Sequence, residues 1–264
     1  MKKKSIPIVI IYLILCLGIS NLLWVLAYSN PEADSSMIFA MLAAFFPMLL
    51  ALIMAKITGE GWNHLGIAFH FRKWRYYLIA VLGTILLVYG SNPLMLLLFP
   101  AEVSSRFSLG RIGEILLMVL LGILCFIECL GEELGWIGYL FPKLEELAGT
   151  TGSILLLGLI RGCYHIGLLS FMDYPVQGFV ELTISNILLQ SFMIYLYKQS
   201  GSLFPCTIMH GISNLLPILL VYDNNWYYHS FFAMAVNMVP AAVIGIACYL
   251  IMKKKEILCK RTYS

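Results

Sequence analysis

Three apolar segments of this sequence carry short polar stripes whose residue types can do chemistry. The first stripe is Glu128, Glu132 and Glu133, in the stretch ECLGEELGWIGYL that follows a long apolar run. A charged side chain at the centre of a bilayer costs about 2.5–3.5 kcal/mol on insertion scales. These carboxylates therefore need partners inside the protein, or they are not all charged.

The partners are predicted to come from two later segments. LIRGCYHIGLL places Arg161 and His165 four residues apart, and CTIMHGISNLL does the same for His210 and Asn214. Residues four apart share one face of a helix, and polar side chains within a membrane face the bundle interior rather than lipid. We therefore expect the three stripes to meet in one cavity, where imidazoles and a guanidinium match the carboxylates.

A cavity of this kind supports hydrolysis. A carboxylate beside a histidine can take a proton from water, and a second histidine and an amide can donate hydrogen bonds to the oxyanion formed at a carbonyl. A metal mechanism stays open, because Glu132, His165 and His210 are the ligand types of a catalytic zinc site. The expected cofactor is therefore none or a divalent metal such as zinc, and the metal-free mechanism is favoured.

The composition places these stripes in an integral membrane protein. The chain has 264 residues, of which 61% are hydrophobic and only 12% charged, whereas a soluble domain has about 25% charged residues. Spanning a bilayer takes about 20 apolar residues. Eight segments meet this need, near residues 6–28, 37–57, 76–99, 113–135, 151–171, 178–198, 203–222 and 231–252. The sequence predicts an all-α polytopic membrane protein with about eight transmembrane helices, as one domain over residues 1–264, with a kink at Ser-Asn-Pro in the third helix.

The loop charges predict the orientation in the membrane. Lysine and arginine concentrate at both termini and in the loops after the second, fourth and sixth segments, whereas NPEADSS, MDYPVQ and DNNWYYH contain neither. The positive-inside rule then puts both termini in the cytoplasm, with the glutamate motif toward the cytoplasmic end of the fourth helix. The net charge of +3 reports this topology rather than a nucleic-acid partner. The expected partners are the lipid bilayer and a membrane-associated peptide.

The motifs resemble those of a known protease family. GEELGWIGYLFPKL is similar to the Glu-Glu-x-x-x-Arg signature of the CPBP family of membrane endopeptidases, which includes CAAX proteases and bacteriocin-processing enzymes, also called Abi proteins. RGCYH stands where that family has Phe/Trp-x-x-x-His, and HGISN matches His-x-x-x-Asn. The resemblance covers roughly residues 110–220. It implies an eight-helix intramembrane protease, and its ties to bacteriocin immunity imply a bacterial cell membrane.

The resemblance also implies a role for each motif residue. Glu132 with His165 would activate water, His210 and Asn214 would hold the oxyanion, and Glu133 would support the site.

Two positions depart from the family pattern. Ile137 stands in place of the family arginine, and Arg161 in place of the aromatic residue. Because each lies one helical turn from a motif residue, we expect the guanidinium of Arg161 to reach the carboxylates from the facing helix. The alternative is a degenerate site in a non-catalytic membrane scaffold or bacteriocin-immunity protein.

Overall fold

The computed structural model describes residues 2–33, 35–99, 122, 125–219 and 230–262, and these ranges contain helices and turns but no strand. The first four helices are α1 (Lys2–Ser29), α2 (Ser35–Ile57), α3 (Trp74–Tyr89) and α4 (Asn92–Leu98). Helix α5 covers 125–133 and continues into a π-helical segment, Leu134–Leu140. The remaining helices are α6 (Phe141–Tyr164), α7 (Ile166–Leu169), α8 (Pro175–Ser200), α9 (Phe204–Leu219), α10 (Phe231–Asn237) and α11 (Val239–Thr262).

The length and composition of these helices confirm an all-α polytopic membrane protein. Within the described ranges, five helical runs are long and apolar enough to cross a membrane, or six if α10 and α11, which are bent by 50°, form one span. The bend coincides with Pro240, whose ring leaves no N–H for the helical ladder. The count of eight spans stays a prediction, since most of the first half of the predicted fourth span lies outside the described residues.

The position of the helix break was predicted for the third span and missed for the fourth. The third predicted span has an interruption at the position where a kink was predicted, because α3 ends at Tyr89 and α4 begins at Asn92. The expected end of the fourth helix near residue 135 was wrong, because the helical backbone continues through residues 134–148. The turn falls instead at Gly149, whose φ of 70° lies in the left-handed region that favours glycine.

An aromatic core surrounds the π-helical segment. The rings of Trp136 and Tyr164 meet edge to face at 5.2 Å, and Tyr12 of α1 lies 5.1 Å from the ring of Tyr139. A methyl group on Gly135 would approach Pro47 of α2 to 2.5 Å, so a glycine is required where these helices touch. The chain just after the two glutamates is thereby fixed against α1 and α2, which positions the carboxylates.

Candidate active site

The two glutamates of the motif lie at the buried end of α5. Glu132 is 6% exposed and Glu133 is 0% exposed, although both are carboxylates. The backbone leaves α5 directly after them and enters the π-helical turn. Segments with this i→i+5 geometry are rare and occur often at functional sites. The expectation that the carboxylates lie inside the protein therefore agrees with the geometry.

Arg161 supplies the positive charge that these carboxylates need. It projects from α6, is itself 3% exposed, and places Nη1 2.6 Å from Oε1 of Glu133. Its Nη2 lies 3.6 Å from Oε2 of Glu132, too long for a hydrogen bond but within the range of an ion pair. The guanidinium thus reaches both carboxylates from the facing helix, as the sequence predicted, while Ile137 is fully buried in the apolar core.

His210 completes the buried ion cluster. Its Nδ1 lies 2.8 Å from Oε1 of Glu133 and 3.4 Å from Nη2 of Arg161. A contact of 2.8 Å between an imidazole nitrogen and a carboxylate oxygen requires a proton between them. We assign that proton to Nδ1, because Glu133 also accepts from Arg161. The ring nitrogen left for chemistry is then Nε2.

His165 lies at the break between α6 and α7. Its Nδ1 is 2.8 Å from the backbone carbonyl oxygen of Arg161, which can only accept, so Nδ1 carries the proton. The indole of Trp24 stacks on the imidazole, with ring centroids 6.2 Å apart. No hydrogen bond joins Glu132 and His165, the predicted pair, among the described contacts. The two side chains instead line the same cavity.

Asn214 lies one turn after His210 on α9 and is the most exposed of these groups. Its Nδ2 donates to the sulfur of Cys129 over 3.6 Å. Thioether and thiol sulfurs are weak acceptors, so this amide can exchange its partner for a stronger acceptor at little cost.

One cavity of about 320 Å³ joins these groups. Its polar wall consists of Glu128, Glu132, Arg161, His165, His210 and Asn214. The facing wall comes from α8 and was not predicted: it includes Ser185 and Asn186 among Leu182, Leu189 and Met193. The available signal was the spacing of Ser185, Leu189 and Met193, four residues apart in turn, which places them on one face of α8.

The side chains that the structure brings together differ from the predicted set of metal ligands. The predicted set was Glu132, His165 and His210, whereas the described side chains bring together Glu132, Glu133 and His210, with ligand atoms within 4.8 Å of one another. Arg161 already lies against both carboxylates of that set. A cation there would be repelled by the guanidinium, so these donors fit a metal poorly while Arg161 stays paired with them.

Two buried carboxylate oxygens remain without a donor. Oε2 of Glu132 and Oε2 of Glu133 have no hydrogen-bond partner within the described part of the chain. A buried carboxylate oxygen without a donor is costly. Oε2 of Glu132 lies instead in the ion pair with Arg161, and the Glu132 side chain also lines the cavity.

One comparison with known proteins covers the region of the site. Residues 114–216 match the family model described as type II CAAX prenyl endopeptidase Rce1-like. The matched region contains every site residue discussed above except Trp24. No curated protein matches the chain.

Proposed function

We propose, from the chain's membership of the CAAX protease family, that it is an intramembrane endopeptidase that hydrolyses a membrane-associated peptide. The observation that carries the proposal is the shared cavity, lined by Glu132, His165, His210 and Asn214. These side chains come from α5, the α6–α7 break and α9, so the fold alone brings them together.

Water activation is assigned to Glu132 and His165. Glu132 lines the cavity with a carboxylate that is ion-paired with Arg161. His165 has its Nδ1 proton directed to a backbone carbonyl, which fixes the tautomer and leaves Nε2 as the acceptor. A water held between these two acceptors would give one proton to Glu132 as its oxygen attacks the peptide carbonyl, and that proton would pass to the leaving amine when the C–N bond breaks.

Oxyanion support is assigned to His210 and Asn214. Glu133 accepts the Nδ1 proton of His210, and the imidazole is proposed to carry a second proton on Nε2, from which it donates to the oxyanion. The amide of Asn214 exchanges its weak bond to Cys129 for one to the oxyanion. Donors fixed in advance stabilise a developing negative charge without reorganisation at the moment of reaction.

Arg161 is assigned the role of the buried cation, so the mechanism is proposed to be metal-free. The guanidinium lies between the two carboxylates and compensates their negative charge, as a metal ion would otherwise do.

The chain is further proposed to reside in a bacterial cell membrane with both termini in the cytoplasm, since lysine and arginine concentrate on that side of the predicted topology.

The test is cleavage by the purified full-length protein in proteoliposomes. Membrane-associated peptides, with a prenylated CAAX peptide as one arm, are incubated with the parent and with Glu132→Gln, and the products are read by mass spectrometry. Lysine side chains form ion pairs at one end of the bundle, which we call the basic face: Lys143 with Glu60, and Lys198 with Glu145 and Glu256. We expect cleavage to be lost in Glu132→Gln, retained in the matched basic-face variant Glu145→Gln, and unaffected by a divalent-metal chelator. Equal cleavage by the parent and Glu132→Gln would exclude the assigned base, and chelator sensitivity would exclude the metal-free mechanism.

A further inference from the structure

The lysine side chains of the basic face fall into two groups with different partners. In the first group each lysine forms an ion pair with a glutamate: Lys143, Lys198 and Lys253. In the second group two lysines donate to one neutral residue, Gln199, near the end of α8. The Nζ of Lys73 lies 3.0 Å from the backbone carbonyl oxygen of Gln199, and the Nζ of Lys255 contacts its side-chain oxygen. Two ammonium groups from distant parts of the chain therefore meet on one glutamine.

Arg75, in the first turn of α3, brings a third cation to the same place. Its guanidinium carbon lies 4.9 Å from the ring centroid of Tyr76, and the Nζ of Lys73 lies 5.9 Å from that centroid. The Nη2 of Arg75 also donates to the hydroxyl oxygen of Tyr76 over 3.1 Å. Tyr76 is 6% exposed, whereas the three cations are exposed. A buried ring thus holds two of the cations at the surface, and we call Lys73, Arg75 and Lys255 the cation cluster.

The cation cluster has no compensating carboxylate in the part of the chain that the structure describes. Each ion pair of the basic face uses a lysine of the first group. The hydrogen-bond partners of the cluster are instead a backbone carbonyl, a side-chain amide and a phenol. Like charges held close together repel one another, so an anion bound at the cluster lowers this repulsion. Ammonium and guanidinium groups form strong charge-assisted hydrogen bonds with phosphate oxygens.

The side chains beside the cation cluster are typical of a membrane interface. Trp74 follows Lys73 directly and is 61% exposed, and Phe71, two residues before Lys73, is 76% exposed. Tryptophan is enriched at the level of the lipid headgroups, where its amphipathic ring is stable. The anions that the cluster meets at this level are the phosphate groups of lipids.

Exposed apolar side chains continue from the cation cluster along two helices. On α3, Ile79 and Leu82 lie four and seven residues after Arg75 and are 37% and 57% exposed. On α11, Ile251 lies four residues before Lys255 and is 44% exposed. Residues at these spacings share one face of a helix, and α3 and α11 pack against each other. Each helix therefore presents a cation and, next to it, an apolar face suited to an acyl chain.

We propose that the cation cluster binds the phosphate group of an anionic phospholipid, whose acyl chains lie along the exposed faces of α3 and α11. Basic pockets between transmembrane helices bind anionic headgroups in this way. The lipid site is separate from the candidate active site, because no residue of the cluster lines the cavity. It depends neither on the proposed proteolysis nor on which leaflet the basic face meets.

The test is lipid binding by the full-length protein in detergent, with bound lipids counted by native mass spectrometry. The protein is titrated with phosphatidylglycerol, which is anionic, and with phosphatidylcholine of the same acyl chains, which is zwitterionic. We expect phosphatidylglycerol to bind more tightly. Lys73→Gln/Lys255→Gln should weaken its binding about 25-fold, which corresponds to about 1 kcal/mol for each lysine removed.

The matched control removes the same net charge from other positions. Lys56→Gln/Lys254→Gln changes two exposed lysines, of which Lys254 is adjacent to Lys255 in the sequence. Neither lysine contacts Gln199 among the described contacts. We expect the affinity of this variant for phosphatidylglycerol to stay within about threefold of the parent value, because exposed charges outside the site are screened by salt.

Three results would overturn the proposal. Equal weakening in the two double variants would indicate diffuse attraction to the charged face rather than a site. Equal binding of the two lipids by the parent would exclude an anionic headgroup. The occupant would be a soluble anion if inorganic phosphate raised the unfolding temperature of the parent but not that of Lys73→Gln/Lys255→Gln, while phosphatidylglycerol raised neither.

Two further comparisons keep the result interpretable. Lys73→Arg/Lys255→Arg keeps both charges and should bind phosphatidylglycerol as the parent does. If Lys73→Gln/Lys255→Gln failed to fold, as judged by thermal unfolding without lipid, the single variants Lys255→Gln and Lys254→Gln would replace the double variants. Lys255→Gln should then lose about fivefold in affinity, and equal affinities of the two single variants would contradict the site.

Discussion

The buried ion cluster and the basic face contain ion pairs of the same length in different surroundings. Arg161 and Glu133 meet at 2.6 Å, and so do Lys143 and Glu60. The side chains of the first pair are 4% and 0% exposed, and those of the second are 11% and 32% exposed. The distance alone therefore does not indicate which pair contributes more to the stability of the protein. A buried pair whose partner is removed leaves an uncompensated charge, at a cost of about 3–5 kcal/mol, whereas an exposed pair contributes about 0.2–1 kcal/mol.

The largest effect is expected from breaking the buried pair. Arg161→Leu should lower the free energy of unfolding by about 3–5 kcal/mol, because Glu133 and Glu132 lose their cation in a dry environment. Thermal or denaturant unfolding of the detergent-solubilised protein measures this change. The matched control is the double variant Arg161→Leu/Glu133→Leu, which removes both charges and should regain much of the stability while remaining inactive.

A second control tests whether Arg161 takes the role of the family arginine, whose position is occupied here by Ile137. Adding Ile137→Arg to Arg161→Leu returns a cation to the family position, one turn after Glu133, and should partly restore stability and cleavage. If Arg161→Leu were indistinguishable from the parent in both measurements, the buried pair would have no role. The hypothesis that Arg161 replaces the family arginine would then be wrong.

A smaller and more selective effect is expected at His210. Its Nδ1 is held by Glu133, and the proposed oxyanion donor is Nε2, whose position the amide nitrogen of glutamine can approximate. We expect His210→Ala to lower kcat by about 10²–10³, the loss typical of one oxyanion donor, and His210→Gln to recover part of it with little change in KM.

The control at the other region is the exposed His70 on the basic-face side. His70→Gln should leave kcat unchanged. Equal loss in His210→Gln and His210→Ala would indicate that this imidazole acts as a base or only supports the fold, and would remove it from oxyanion support.

The same comparison shows what the sequence could and could not predict. The four-residue spacings of Glu128 with Glu132, Arg161 with His165 and His210 with Asn214 were enough to predict polar faces directed inward, and the cavity brings those faces together. The family match agrees with the resemblance carried by the same motifs.

The pairing within the cluster could not be predicted. The resemblance implied Glu132 with His165, whereas the close contact is Glu133 with His210. The π-helical turn after Glu133 and the helix break at His165 change which face each side chain takes, and neither is encoded in a simple residue period. The α8 wall was missed because Ser185 and Asn186 form no motif with a catalytic spacing.

The smallest effect is expected at the partly exposed pair of Lys143 with Glu60, and it sharpens the role of burial. Glu60→Gln removes the charge but keeps the shape of the side chain opposite Lys143, whose Nζ also lies 3.8 Å from the ring centroid of Tyr139. We expect the free energy of unfolding to fall by no more than about 1 kcal/mol and the difference to shrink at high salt, where exposed charges are screened. The matched variant Glu133→Gln makes the same chemical change in the buried pair, so a difference between the two in the same unfolding assay measures burial together with the second partner of Glu133, His210. If Glu60→Gln destabilised the protein as much as Glu133→Gln, the basic face would be more than a solvated end of the bundle, and the contrast between the two regions would fail.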